Sequence, residues 1–297
     1  MDTTNTPPDL SIVVLNWNTS DLLEDSLQAI ASTAGSLSIE VTVIDNASTD
    51  GGFSHLPQPL RDDLRFSYVQ NDKNIGWLAI NIMPLRSRST YILTIDPDAI
   101  VHPGALHALF NFMESHPEAG AATANLRNSD GTPQRYYRRL TTPLAYFFTT
   151  LIGRLIDKYF FKLRHFRAYR YEDLDITKTS EVEQPSWPCL IWRKEAVVEC
   201  IVDPDLPFYF PDVEMSRRLY SAGYKIYMVS DALAAHLKST SFGRAADDWR
   251  RREYDRSLLV YFRKHYLLWL PLVWVLLMTD IALRWTIKNI AGHEPLR

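Results

Sequence analysis

The chain has 297 residues, enough for one large α/β unit with an appendage. With 46% hydrophobic residues, 23% charged residues and a formal net charge of -3, it has the composition of a folded protein. That balance excludes disordered and fibrous classes and gives no basis for a nucleic-acid partner. The two cysteines, Cys189 and Cys200, make neither a disulfide framework nor a metal-ligand cluster, which fits a reducing compartment.

In chain order, Met1 to Asp9 is polar, contains Pro7 and Pro8, and lacks the basic and apolar parts of a signal peptide. Leu10 to Leu15 is a continuous apolar run, as expected of a strand buried on both faces, and Ser20 to Ile30 follows with helical spacing. Further strands are predicted over Val41 to Ile44, Phe66 to Val69 and Tyr91 to Ile95, with a helix over Pro103 to Glu114. Strands alternating with helices predict an α/β fold with a mostly parallel central sheet.

Beyond residue 120 the pattern changes. Asn128-Ser129-Asp130-Gly131 is a hairpin-type turn, with Gln134 to Arg139 as its returning strand. Leu144 to Tyr171 is basic, aromatic and partly amphipathic, and residues 172 to 184 are a polar, acidic loop. A last globular part starts at Trp187 and includes a strand over Lys225 to Val229. A charged helix from Ala245 to His265 precedes an apolar stretch, Tyr266 to Met278, whose 13 residues fall short of the roughly 20 that span a bilayer. Contact with the membrane interface is the expectation there.

Asp96-Pro97-Asp98 directly follows the strand YILTI, at the carboxyl edge where open α/β sheets place ligands. Two carboxylates so close offer hard oxygen ligands to Mg²⁺ or Mn²⁺, although a Pro-containing turn with two solvated aspartates uses the same residues. Asp45 ends the second strand at the same edge and can accept hydrogen bonds from a ribose or a base N–H, or make its own turn. Asn74-Ile75-Gly76-Trp77 offers a helix start with a glycine for close approach, or a loop anchored by its aromatic residue.

The segments LSIVVLNWNTSDLLEDSLQAI, VTVIDNASTDGG, NDKNIGW, IDPDAIVHPGALHAL and FYFPDVEMSRRLYSAGYKIYMVSDALAAH occur in the order and spacing of family 2 glycosyltransferases, which this chain resembles over about residues 9 to 265. Within that family, NSDGTPQRYYRR and YFRKH resemble the rhamnosyltransferase-like branch. The resemblance implies a GT-A, Rossmann-like sheet and transfer of a sugar from a nucleotide-diphosphate donor, with dTDP-rhamnose the expected donor. It implies that Asp45 reads the donor's pyrimidine and that Asn16, Asn18, Asn74, Gly76 and Asp96 lie on the nucleotide side. Asp98, Asp96 and His236 are the implied ligands of a divalent metal, Mg²⁺ or Mn²⁺. Asp212 is the implied general base: it holds the second place of an acidic pair whose first member is here Pro211. Trp187-Pro188-Cys189, Ile80 and Ile82 depart from the family pattern around the donor sugar.

A carboxylate within reach of the acceptor hydroxyl can take its proton, although Asp212 at a helix start also serves as a cap. Glu214, two positions on, is expected to face elsewhere. The expected organisation is a GT-A domain over residues 1 to 245 and a helical, membrane-associating segment over 246 to 297. The expected acceptor is a lipid-linked molecule or glycan of the cell envelope, met by a cytoplasmic enzyme peripheral to the inner face of the cell membrane. A nucleotide-sugar-binding protein with little or no transferase activity is the alternative. A nucleotidyltransferase is disfavoured, because Asn16-Trp17-Asn18-Thr19 is no glycine-rich phosphate loop.

Overall fold

The computed structural model describes residues 6–185, 187–199, 201–237 and 247–290. Its centre is a nine-stranded sheet. Strand β1 (Leu10–Asn16) lies between β2 (Ile39–Asp45) and β4 (Tyr91–Ile95), parallel to both, and β3 (Phe66–Gln70) extends the parallel half beyond β2. On the other side of β4 come β8 (Cys189–Arg193), β6 (Ala119–Arg127) and β9 (Lys225–His236), with β5 (Ala99–Val101) and the short β7 (Ser180–Glu181) both pairing with β9. Strands β5, β7 and β8 run against the common direction of the others.

Period-two alternation explains the layering. Leu10, Ile12 and Val14 of β1, with Leu93 of β4 and Ile191 of β8, face a core closed by Leu23, Leu27 and Ile30 of helix Ser20–Thr33 and by Leu106, Leu109 and Met113 of helix Ala105–Ser115. The alternate residues Val13, Ile92, Leu190 and Trp192 face a second core with Ile80, Met83 and, from helix Pro211–Ser221, Met215 and Leu219. Burial on both faces accounts for the unbroken apolar runs of β1 and β4. Cys189 is buried in the first core, and burial followed by the nearby Asp96 charge pushes its thiol up to about 12, which keeps it in the protonated form. Cys200 lies outside the described residues.

Two expectations need correction. Gln134 to Arg139 does not return as a strand: the turn forms, with Gly131 N donating to Asn128 O and Gln134 N to Leu126 O, but only single bridges join Pro133 to Arg127 and Arg138 to Gln184. Pro133 has no N–H to give, so no ladder propagates from its bridge with Arg127. The apolar stretch is also longer than the 13 residues counted. Helix Leu270–Ile290 continues through Asp280 and Arg284, which pair at 2.6 Å, and Asp280 also accepts a hydrogen bond from Leu151 N. With its charges paired, the 21 residues Leu267–Ile287 are long and apolar enough to cross a membrane by length and composition.

A third cluster joins this helix to the sheet domain. Leu258, Tyr261 and Phe262 of helix Asp247–His265 pack with Tyr146, Phe210, Val213, Val273 and Leu277. Leu268, Trp274 and Trp285 of the terminal segment, and Tyr159 and Phe160 of helix Leu151–Phe161, remain exposed. The basic-aromatic and apolar stretches therefore touch each other and still present an apolar surface outward. The expected boundary after residue 245 lies outside the described residues.

Candidate active site

The carboxyl ends of β1, β2 and β4 converge on a cavity of about 260 Å³. Asp96 and Asp98 enter it from the turn between β4 and β5, which is tied down by Asp96 N donating to Pro188 O and by Ala99 N donating to Asp96 O, both at 2.9 Å. His236 arrives from the far end of the chain because β5 and β9 pair antiparallel with Ala99 opposite His236, and Leu237 N donates to Asp98 O at 2.9 Å. His236 Nε2 is 3.4 Å from Asp98 Oδ1. One ligand atom from each of Asp96, Asp98 and His236 lies within 4.8 Å of the others. Two carboxylate oxygens and an imidazole nitrogen that close together suit a divalent cation such as Mg²⁺ or Mn²⁺.

Burial, and after it the neighbouring Asp98 carboxylate, pushes the Asp96 carboxyl up to about 7, against the pull of His236. Crowding of like charge at a strand end is what a bound cation relieves.

Gln134, read in the sequence only as the start of a strand, locks His236. Its Nε2 donates to the His236 carbonyl and to Asn128 Oδ1, both at 2.9 Å, which fixes the amide orientation. Its Oε1, 2.6 Å from His236 Nδ1, must then accept the Nδ1 proton. The lone pair of Nε2 is left on the Asp98 side, the tautomer a metal ligand needs.

Asn46, Asn74 and Gly76 wall the opposite side with Trp17 and Trp77. Gly76 has φ +61, and a Cβ there would lie 2.2 Å from the carbonyl oxygen of Pro207, so only glycine fits. Its N–H donates to Asn74 Oδ1 and its carbonyl accepts from Asn46 Nδ2.

Asp45, Asn16 and Asn18 do not line this cavity. Asp45 is fully buried and accepts from Asn16 Nδ2, Ser48 N and Gln70 Nε2 at 2.7–2.9 Å. Asn18, at φ +55, accepts from Thr49 N. The three residues hold the loop after β2 at the cavity's edge.

Asp212 lies in a second cavity of about 360 Å³. Two segments are common walls: Tyr136 and Phe208 face the first cavity, while Arg138 and Phe210 face the second. Phe210 takes φ +68 just before the helix and Pro211 fills its first turn, where a missing N–H costs nothing. Asp212 Oδ2 accepts from Gln184 Nε2 at 2.8 Å. Burial raises the Asp212 carboxyl above its ordinary value, against that hydrogen bond and the N–H groups of the helix start. Glu214 faces elsewhere, as expected, bonding His265 Nε2 at 2.5 Å. The replaced Trp187 sits edge-on between Trp77 and Trp192, at 4.8 and 5.6 Å between ring centroids, as part of the cavity's support.

The Glycosyl transferase family 2 model matches residues 11–176, more than half of the chain. The N-acetylglucosaminyl-diphospho-decaprenol L-rhamnosyltransferase of Mycobacterium tuberculosis is 25% identical over 292 residues, covering 93% of this chain and 91% of that protein. An uncharacterised glycosyltransferase of Haemophilus influenzae is 26% identical over 110 residues, 37% of this chain and 34% of its own length. Among solved structures, GalNAc-T7 with UDP, GalNAc and Mn²⁺ superposes with a TM-score of 0.59 at 14% identity; the match takes in 86% of this chain, which spans about half (47%) of that one. Residues 1–349 of S. aureus TarS superpose with a TM-score of 0.51 at 15% identity, covering 86% of this chain and 73% of that one. At such identities the two structures speak for the fold, a GT-A arrangement. With the family model covering most of the sheet, the chain belongs to glycosyl transferase family 2 and is a glycosyltransferase.

Proposed function

We propose that the protein transfers a sugar, L-rhamnose from dTDP-rhamnose being the leading candidate, from a nucleoside-diphosphate donor to a hydroxyl of a lipid-linked acceptor, with inversion at the anomeric carbon. The observation that carries this reading is the Asp96–Asp98–His236 cluster in a cavity that shares its walls with the cavity of Asp212. The choice of sugar and acceptor is supported by the mycobacterial relative, whose name states a rhamnosyl transfer to a diphospho-decaprenol sugar.

In this reading the donor's diphosphate occupies the first cavity and Asp45, Asn16 and Asn18 hold the loop against its nucleoside. Asn74 and Gly76 stand on the nucleotide side. A divalent cation bound by Asp96, Asp98 and His236 would neutralise charge on the departing diphosphate. Asp212 takes the acceptor hydroxyl's proton while that oxygen bonds to the anomeric carbon, and the bond to the diphosphate oxygen breaks with its electron pair leaving on the nucleoside diphosphate. A diphosphate leaves without a second acid, unlike the leaving oxygen of a glycoside. The sheet domain is taken to end near residue 245, and the helices after it to hold the enzyme peripherally at the cytoplasmic face of a membrane, where the acceptor resides.

A panel of nucleotide sugars with Mn²⁺ tests the reading through product formation. Asp212→Asn is expected to lower kcat about 10²–10⁴-fold with donor binding retained. Undiminished turnover in that variant would remove Asp212 from the base role, and donor binding without turnover by the native chain would leave a binding protein.

A further inference from the structure

The second cavity holds three features that base catalysis leaves unused. Arg138 and Arg170 both line it. The nearby Arg139 and Arg167 pair with Glu183 at 3.0 Å and Glu172 at 3.5 Å, whereas no carboxylate lies within ion-pair distance of Arg138 or Arg170 among the described residues. Arg138 Nη1 donates only to backbone, the carbonyls of Tyr137 and Arg135. Burial, and after it the Arg170 cation, holds the Arg138 guanidinium below its ordinary value. Asp212, in the same cavity, pulls the other way and offsets part of that charge, but two guanidinium groups face one carboxylate, and the excess positive charge in a partly desolvated cavity favours an incoming anion.

The Oε1 of Gln184 is the third feature. It is buried with no hydrogen-bond partner, while the same amide's Nε2 holds Asp212 at 2.8 Å. A buried acceptor atom next to the carboxylate wants a hydroxyl donor.

Beside the cavity runs an apolar groove of about 590 Å³ formed by Pro143, Leu144 and Phe147 with Trp269, Leu272 and Leu276. One short helix, Pro143–Thr149, separates the two: Tyr146 faces the cavity, and Leu144 and Phe147 face the groove. The groove's other wall is the terminal helix that is apolar enough to enter a membrane. A cationic pocket opening beside an apolar channel matches one molecule that is anionic at its head and hydrocarbon in its tail.

We propose that Arg138 and Arg170 bind the diphosphate of the lipid-linked acceptor, that its hydrocarbon chain runs along the 143–147/269–276 groove, and that Gln184 Oε1 accepts from a second hydroxyl of the acceptor sugar while the reacting hydroxyl gives its one proton to Asp212. This assignment rests on the transferase reading above and names its acceptor site. Arg170 is placed for the task by helix Arg164–Tyr169, whose start is held by the buried Asp157 through His165 N and Phe166 N.

Calorimetric titration of the full chain in detergent with EDTA, which keeps diphosphates off the cation site, tests the assignment with farnesyl diphosphate and inorganic pyrophosphate as probes. Farnesyl diphosphate is expected to bind at least tenfold more tightly than pyrophosphate. The Arg138→Gln/Arg170→Gln double variant should weaken it by about tenfold or more, the loss of charge-assisted hydrogen bonds. Leu272→Asp should weaken farnesyl diphosphate and leave pyrophosphate unchanged. Equal affinity in the double variant, or no binding to the native chain, overturns the arginine assignment; equal affinity for the two probes overturns the groove. Should the double variant not fold, phenylglyoxal labelling of the native protein decides, since farnesyl diphosphate must shield Arg138 and Arg170 and unchanged labelling sinks the proposal. UDP and dTDP binding with Mn²⁺, measured separately, reports the donor cavity, so its failure would tell against the transferase reading while leaving the diphosphate result standing.

Discussion

Asp96 is a side chain whose charge changes near neutral pH. Its folded-state carboxyl value of about 7 lies above the 3.8 of an unperturbed aspartate. Between those values the folded state holds more protons than the unfolded one, so this group makes the metal-free protein less stable as pH rises from about 4 to about 7. A cation reverses the sign, because it binds the anion. Mn²⁺ affinity measured by calorimetry is therefore expected to fall by up to about tenfold per unit below pH 7, and Asp98→Asn should remove most binding at any pH. Gln134 is the other informative residue. Gln134→Leu leaves His236 free to take the wrong tautomer and is expected to cost about 10–100-fold in metal affinity; Gln134→Glu, which still accepts the Nδ1 proton, should recover part of it. Equal Mn²⁺ affinity in native and Leu variants would reduce Gln134 to a packing role.

Turns and short helices carry the next level of organisation. The loop ending in Gly76 meets the 207–208 backbone, with Trp77 N donating to Pro207 O at 2.8 Å. Gly76→Ala forces both a left-handed alanine and a clash with that carbonyl, and is expected to destabilise the fold by about 1–3 kcal/mol, read as a lower urea midpoint. Helix Pro211–Ser221 joins the levels: Asp212 faces a cavity, Val213 packs in the helical cluster, and Glu214 is tied to His265 and, at 3.5 Å, to Arg218. Because the Asp212 carboxyl is raised by burial, kcat/KM is expected to rise with pH until that group is anionic, and a pH profile of Asp212→Asn should lack that limb.

Across the folded body, the sheet presents its ligand-facing edge at one end while the helices after residue 247 add an apolar exterior beside the Asp212 cavity. Removing residues 266–297 also removes Val273 and Leu277 from a buried cluster, so membrane loss and unfolding would be confounded. Leu268→Glu with Trp274→Glu, both at exposed positions, avoids that. Flotation with anionic vesicles is expected to drop several-fold in this variant while thermal stability is kept; unchanged flotation would show that the helix is not the membrane contact.

The strands of the parallel half, the edge position of Asp96 and Asp98, and the ordered family motifs were all readable along the chain, because burial on both faces imprints local apolar runs and because neighbours in sequence stay neighbours at a strand end. His236 entered through family likeness alone; its approach to Asp98 depends on the antiparallel register of β5 and β9, which no local pattern encodes. The same holds for Gln134, whose segment has the pattern of a strand but whose side chain spends its hydrogen bonds on His236 and Asn128. The meeting of Arg138, Arg170 and Gln184 around Asp212 arises from three loops with no shared periodicity. Local sequence records which side of an element is hidden from water; which distant group hides it, and what charge is brought along, is settled by packing.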